Sequence, residues 1–216
     1  MWSKLQRHKP YRSLKQLPIP KRLWSSISID FIKKLLSFSR FDTILVIVNW
    51  LTKQAIFIPA HDTITSVDLV RLFVLHVFSK HSIPSHVTSD KGSEFVSNFF
   101  RSLGTALDMQ LYFTSDYHLK GNGQTEHTNQ TLEQYLYIYC NYEQDNWSKL
   151  LPLMEFVYNN ALSATTGVSP FFANKGYYPN ITVHPKCEIA SSRACNFAVD
   201  LDELQNILKA EISAAQ

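Results

Sequence analysis

Three strand-like segments come before the first helical segment, and this order constrains the fold more than any other feature of the chain. Ile27, Ile29 and Phe31 alternate with polar residues, which is the periodicity of a strand with one buried face. Residues 41–48 include the run Ile-Leu-Val-Ile-Val, and residues 55–58 form a third apolar stretch. Three strands in such quick succession predict an antiparallel meander.

After these strands, the apolar residues follow a helical period. Thr65, with Asp68 three residues later, is an N-cap signal for a helix that ends before Pro84. The remaining predicted elements are strands at 86–90 and 111–113, helices at 93–108, 124–142 and 147–161, a loop-rich segment at 163–185 and a last helix from about residue 197. This order predicts an α/β fold with a mixed five-stranded sheet flanked by helices.

Composition and charge narrow the function classes without choosing one. Hydrophobic residues make up 45% of the 216, which is enough for a sizeable core. No apolar run approaches the length of a membrane span, so we expect no membrane partner. The basic residues of the N-terminal segment, which has no acidic residue before Leu23, are Lys4, Arg7, Lys9, Arg12, Lys15, Lys21 and Arg22. Such an arm either neutralises nucleic-acid phosphates or is a solvated linker.

Three carboxylates are the candidate catalytic and metal-binding residues. Asp30 lies inside an apolar strand, where a charge is costly unless it is compensated. Asp90 ends a predicted strand, and Glu126 lies in the first turn of the long helix. Each position alone has an ordinary structural explanation. Together, two strand aspartates and one helix glutamate can converge on a pair of divalent cations, the arrangement that phosphodiester chemistry uses.

The long helix has a polar face that begins at the same glutamate. Glu126, Asn129, Gln130 and Glu133 follow the i, i+3, i+4, i+7 spacing of one helix face. This face is either solvated or directed toward DNA, and the spacing alone does not decide between the two.

Several longer segments resemble the integrases of gypsy-type long-terminal-repeat retrotransposons, which are related to retroviral integrases. The resembling segments are Trp24-Ser-Ser-Ile-Ser-Ile-Asp-Phe-Ile, Leu51-Thr-Lys, Ser89-Asp-Lys-Gly-Ser-Glu-Phe, Gly123-Gln-Thr-Glu-His-Thr-Asn-Gln-Thr-Leu-Glu-Gln-Tyr, Trp147-Ser-Lys-Leu-Leu-Pro, Glu155-Phe-Val-Tyr-Asn-Asn and Thr166-Gly-Val-Ser-Pro-Phe. Asp90 and Glu126 are separated by 35 residues, the spacing of the D,D(35)E class. The resemblance extends from about Arg7 to the C-terminus.

The resemblance implies an RNase H-like fold and a DNA integrase, that is, a polynucleotidyl transferase with endonuclease activity. It implies two reactions, 3′-end processing and strand transfer, that depend on two Mg²⁺ or Mn²⁺ ions. Asp30, Asp90 and Glu126 match the catalytic and metal-binding triad. The expected DNA-binding residues are Tyr117, His118, Lys120, Asn122, Gln124 and Asn129. Double-stranded DNA, a homo-oligomer and a nuclear location are expected on the same ground.

The resemblance also implies three segments: a basic linker at 1–23, a catalytic core at 24–185 and a connecting helix at 186–216. The linker is interpreted as the remnant of an upstream zinc module, because Trp2 and Leu5 stand where the family has two cysteines before Gln6. His127 replaces the usual arginine after the triad glutamate. These departures leave a second hypothesis open, a decayed or domesticated remnant that binds nucleic acid. Another RNase H-like enzyme, a DDE transposase or a ribonuclease, is the remaining alternative.

Overall fold

The computed structural model describes residues 19–36, 41–113, 123–140 and 147–180, and within them one sheet has the strand order β3-β2-β1-β4-β5. The strands are β1 Ser26–Ile32, β2 Thr43–Asn49, β3 Ala55–Ala60, β4 His86–Ser89 and β5 Gln110–Phe113. The first three pair antiparallel, whereas β4 is parallel to β1 and β5 is parallel to β4. The predicted meander and the predicted mixed five-stranded sheet are confirmed.

Helices flank this sheet, as predicted. They are α1 Ser66–Phe73, α2 Ser79–His81, α3 Ser93–Val96, α4 Asn98–Ala106, α5 Gly123–Tyr139, α6 Trp147–Asn160 and α7 Pro170–Lys175, and a π-helical turn, Val74–Phe78, joins α1 to α2. The predicted cap is present, since Thr65 Oγ1 accepts from the Asp68 backbone N at 3.2 Å. No helix in the described ranges is long and apolar enough to cross a membrane.

Two predicted segments differ from the structure. The single helix predicted at 93–108 is wrong, because Ser97 is extended and separates α3 from α4, with its Oγ accepting from the Phe100 N. The segment predicted as loop-rich contains α7, which has ordinary helix signals: Ser169 caps it, Pro170 occupies its first turn and Gly176, with φ of 79°, ends it. The last predicted helix, from about residue 197, lies outside the described residues.

The two faces of the sheet bury separate hydrophobic clusters. Ile27 and Ile29 pack on one face with residues of α1 and α4. Val46 packs on the other face with residues of α5 and α6. Because alternate residues of a strand point to opposite faces, Ser28 and Asp30 lie on the α5 side of β1. The alternation in β1 therefore directs Ile27 and Ile29 into one hydrophobic cluster and the polar Ser28 and Asp30 toward α5.

Trp24, which lies two residues before β1, is held by α7 and α2. The indole Nε1 of Trp24 donates to Asn174 Oδ1 at 2.9 Å, and the ring stacks on His81 at 3.9 Å with 10° between planes. Burial, with help from Lys175 and Lys80, lowers the pKa of His81 to about 4, so this ring is neutral at physiological pH. The Thr166–Phe171 motif therefore serves the fold by building the helix that fixes the start of β1.

The outer edge of β3 is closed by two side chains of α6. Asn159 accepts from Ala55 N through Oδ1 and donates to Ala55 O through Nδ2, both at 2.9 Å. Glu155 Oε2 accepts from Phe57 N at 2.8 Å. Alternate residues of β3 direct their backbone groups outward, and the next one after Phe57 is Pro59, which has no N–H. Each outward-facing N–H from Ala55 to Pro59 is therefore either paired or absent.

Candidate metal centre

Asp30 lies on β1, and Asp90 directly follows the neighbouring parallel strand β4. The last pair between these strands is Ile29 with Ser89, so Asp30 and Asp90 are the next residues along the chain at the same end of the two strands. Neighbouring strands are about 4.8 Å apart, so the two carboxylates start from adjacent backbone positions. Asp90 is exposed where β4 ends, and its Oδ1 accepts from Gly92 N at 3.0 Å. This turn holds one oxygen and leaves the other accessible from the strand end.

The Asp30 carboxylate is held by a backbone group and by α5. Its Oδ1 accepts from the N of Phe31 at 2.9 Å, and its Oδ2 accepts from Asn129 Nδ2 at 2.9 Å. Both donors bind the carboxylate oxygens directly and together fix the plane of the carboxyl group. The charge that the sequence places in an apolar strand is therefore compensated by specific donors.

The first turns of α5 are anchored to the sheet and to α6 around Glu126. Thr125 is buried and its hydroxyl donates to Ser28 Oγ. Buried Thr128 shares a hydrogen bond of 2.9 Å with the hydroxyl of Tyr158 on α6. Because Thr125 precedes Glu126 and Asn129 follows it, the Glu126 backbone is held over β1, between the contacts to Ser28 and Asp30. The structure describes the backbone of Glu126, and its side chain lies outside the description.

The oxygen atoms of these side chains are suitable ligands for a hard divalent cation. Carboxylate oxygens are the ligands that Mg²⁺ prefers, together with water and substrate oxygens. Asn129 adds a second sign: its Oδ1 is buried and has no hydrogen-bond partner within the described ranges. A buried acceptor left open beside a carboxylate suits a water that is bound to a cation. Among described side chains alone, no group of three His, Cys, Asp or Glu residues converges.

The predicted DNA-binding residues are only partly within the described chain. Tyr117, His118, Lys120 and Asn122 lie outside the described residues, and of Gln124 only the backbone is described. Asn129 is described, and its amide contacts Asp30. Its predicted contact with DNA stays a prediction.

Three residues that support the site are missing from the sequence prediction: Ser28, Thr125 and Tyr158. Ser28 had a usable signal, because it is a polar residue two positions before Asp30 in an alternating strand and must share its face. For Thr125, the only signal in the sequence was its position beside Glu126. For Tyr158 there was no local signal, because it reaches Thr128 from another helix.

Relatives of this chain occur among transposon polyproteins of fission yeast. The Tf2-3 and Tf2-4 transposon polyproteins of Schizosaccharomyces pombe are each 31% identical to it over 180 residues, which is 83% of this chain and 14% of the polyprotein. The chain thus spans a small part of the length of these relatives. No protein-family model matches it.

Solved integrase structures share its fold. A chain of the simian T-cell lymphotropic virus intasome matches with a TM-score of 0.59 at 18% identity, over 85% of this chain and 66% of that one. The HTLV-2 integrase catalytic core domain in complex with magnesium matches with a TM-score of 0.55 at 16% identity, over 70% of this chain and 97% of that one. The predicted RNase H-like fold is confirmed. The chain is therefore similar in sequence to a segment of the Tf2 transposon polyproteins, and its fold is that of retroviral integrase catalytic cores.

Proposed function

We propose that this chain is the catalytic domain of a DNA integrase that acts by metal-dependent phosphoryl transfer. Its two reactions are the processing of the element's 3′ ends and the joining of those ends to target DNA. The observation that carries the proposal is that Asp30 and Asp90 follow the last paired residues of two parallel strands, with α5 anchored to Ser28 and Asp30 on both sides of Glu126. This arrangement supports a site made of the two aspartates and Glu126.

Asp30, Asp90 and Glu126 are the residues that would hold two Mg²⁺ or Mn²⁺ ions. When bound, such ions supply the positive charge that activates the attacking oxygen and stabilises the leaving oxygen. The attacking oxygen belongs to water in end processing and to a 3′ hydroxyl in joining. The chain's own part is to fix its ligands: Asn129 orients the Asp30 carboxylate, and Gly92 N–H orients that of Asp90. Fixed ligands need no rearrangement as charge develops.

The proposed partner is double-stranded DNA, both the element ends and the target, handled by a homo-oligomer. The fold relatives support this, since one is part of a viral intasome and the HTLV-2 core domain was solved in dimeric and trimeric forms. The linker at 1–23, the connecting helix at 186–216 and a nuclear location belong to the same proposal and rest on the family resemblance.

A joining assay on branched DNA tests the proposal. The substrate mimics the joined product, and its resolution reverses strand transfer. We expect resolution with Mg²⁺ or Mn²⁺ and none with EDTA. Asp90→Ala and Glu126→Gln should each lower the rate more than about a hundred-fold, because lost charge stabilisation is worth several kcal/mol.

Glu133→Gln is the matched control, since Glu133 is exposed on the same helix two turns after Glu126. It should leave the rate within about two-fold of the unmodified protein, as most exposed substitutions do. Equal rates in the Asp90, Glu126 and Glu133 variants would remove the triad assignment. DNA binding by the unmodified chain without any metal-dependent cleavage would refute the enzymatic proposal.

A further inference from the structure

The sheet face that carries Asp30 continues onto β4 and β5 as an accessible polar and aromatic surface. Ser26 pairs with His86, which pairs with Gln110, so all three belong to one row on this face. Ser28, Thr88 and Tyr112 form the next row toward the carboxylates. Gln110 is exposed and Tyr112 is 50% exposed, whereas on β1 the same face lies under α5. The side chains of His86, Gln110 and Tyr112 are called the β4–β5 shelf.

The two rings of the shelf are stacked and nearly parallel. His86 and Tyr112 lie with ring centroids 5.9 Å apart and only 14° between their planes. The Tyr112 hydroxyl donates to Gln110 Oε1 at 2.7 Å, which fixes the direction of the phenol ring. Ser26 Oγ lies 3.5 Å from His86 Nδ1. Because its ring is already held by these contacts and half of it is exposed, Tyr112 can offer a π face at little further cost in side-chain entropy.

The shelf lies within nucleotide reach of the carboxylates. Tyr112 pairs with Thr88, and Asp90 is two residues further along the same strand direction. With a rise of about 3.3 Å per residue, the two positions are separated by about 7 Å along the sheet. Stacked nucleotides rise about 3.4 Å each, so this distance corresponds to about two nucleotides.

We propose that the β4–β5 shelf stacks an unpaired DNA base, one or two nucleotides from the phosphate that reacts at the carboxylates. The proposal rests on the proposed function, which puts a DNA phosphate beside Asp30 and Asp90. Exposed aromatic rings on an open sheet face stack splayed-out bases in other nucleic-acid-binding proteins, without preference for one base. A base inside a duplex already stacks on both sides, so the shelf selects DNA whose end is opened at this point.

Fluorescence of 2-aminopurine reports this stacking without any turnover. The probe is a branched duplex with 2-aminopurine placed one or two nucleotides from the junction, mixed with the whole chain in EDTA. We expect binding to quench the fluorescence of at least one of these positions. Tyr112→Thr, which keeps a β-branched residue in the strand, should abolish the quenching, whereas Tyr112→Phe should retain it.

The same variants should change the preference between opened and closed DNA. Loss of one aromatic stacking partner lowers affinity by about ten- to a hundred-fold. Tyr112→Thr should therefore lose about that factor on a duplex with an unpaired junction base and little on a blunt duplex. Tyr178→Thr is the control, because Tyr178 is also an exposed tyrosine stacked on a neighbouring ring, that of Phe172. It should match the unmodified protein in both assays.

Quenching that persists in Tyr112→Thr, or that is missing in the unmodified protein, overturns the stacking proposal. The two proposals fail separately. If Glu126→Gln stops resolution but Tyr112→Thr keeps full quenching, only the shelf is wrong. If Glu126→Gln leaves the resolution rate unchanged while Tyr112→Thr abolishes the quenching, the enzymatic proposal fails and the shelf remains a base-binding surface.

Discussion

The two edge strands of the sheet differ in whether side chains bond their outward-facing backbone groups. β3 is buried along nearly its whole length, and Asn159 and Glu155 of α6 bond its outward backbone groups. β5 alternates between exposed and half-buried residues, and no described side chain caps it in the way that Asn159 caps β3. An open edge is ordinarily a liability, because it can pair with another chain.

The difference between the two edges corresponds to their distance from the carboxylates. β5 is the neighbour of β4, which ends at Ser89, just before Asp90, whereas β3 is separated from β1, the strand of Asp30, by β2. The edge remote from the site is sealed by side chains, and the edge beside it is left accessible. Changes at the sealed edge should therefore alter stability alone, while changes at the open edge should alter DNA binding alone.

The largest effect on stability is expected at Asn159. Asn159→Ala removes both hydrogen bonds to Ala55 and leaves a buried backbone N–H and C=O without partners. Each unsatisfied group costs about 1–3 kcal/mol, so we expect a loss of about 2–6 kcal/mol in the free energy of unfolding. Urea denaturation followed by circular dichroism measures this loss. Asn160→Ala is the control, because the bond that its side chain makes within the described residues is to Phe156 O of its own helix. A similar loss in both variants would show that the cap on β3 does not matter.

A smaller, pH-dependent effect is expected at Glu155. Burial raises the pKa of its carboxyl above the ordinary 4.5, against the opposing effects of the Phe57 N–H and Lys80. The folded state then binds the proton more tightly than the unfolded state, so this group's stabilisation is complete below pH 4.5 and declines as the pH rises through the raised folded pKa.

Glu155→Gln keeps an oxygen acceptor for Phe57 N and removes this titration. The stability of the variant relative to that of the unmodified protein should increase from pH 4 to pH 7, because the variant has no buried carboxyl group to deprotonate. Unfolding measured at both pH values gives the difference directly. Glu133→Gln, at an exposed position, should show no such gain. If the stability of Glu155→Gln relative to the unmodified protein is also the same at both pH values, the carboxyl group of Glu155 is not buried as described.

The smallest effect on stability is expected at the open edge. Tyr112→Thr should change the free energy of unfolding by less than about 0.5 kcal/mol, because half of the side chain is exposed and threonine suits a strand. Thermal unfolding beside the Asn159→Ala variant makes the contrast quantitative. A loss above about 2 kcal/mol would mean that Tyr112 belongs to the core, and the two edges would no longer differ as stated.

Much of the fold was predictable because its signals are local. The alternation of Ile27, Ile29 and Phe31 predicted β1, and Thr65 with Asp68 predicted the start of α1. The break at Ser97 was missed, because α3 and α4 together have the apolar content of one helix. α7 was missed although Ser169, Pro170 and Gly176 signalled it, since a helix of under two turns shows too little periodicity to be recognised.

The sequence by itself determined which residues could be charged ligands and what their local settings would be: two aspartates on strands and a glutamate at a helix start, 35 residues from the second aspartate. Periodicity and capping are properties of neighbouring residues, so they can be read directly. Only the tertiary structure decided that Asp30 and Asp90 lie at the same end of neighbouring strands, that Asn129 holds Asp30 and that α6 seals β3. These contacts join residues 60 to 104 positions apart, and they depend on which strands become neighbours, which no local pattern specifies.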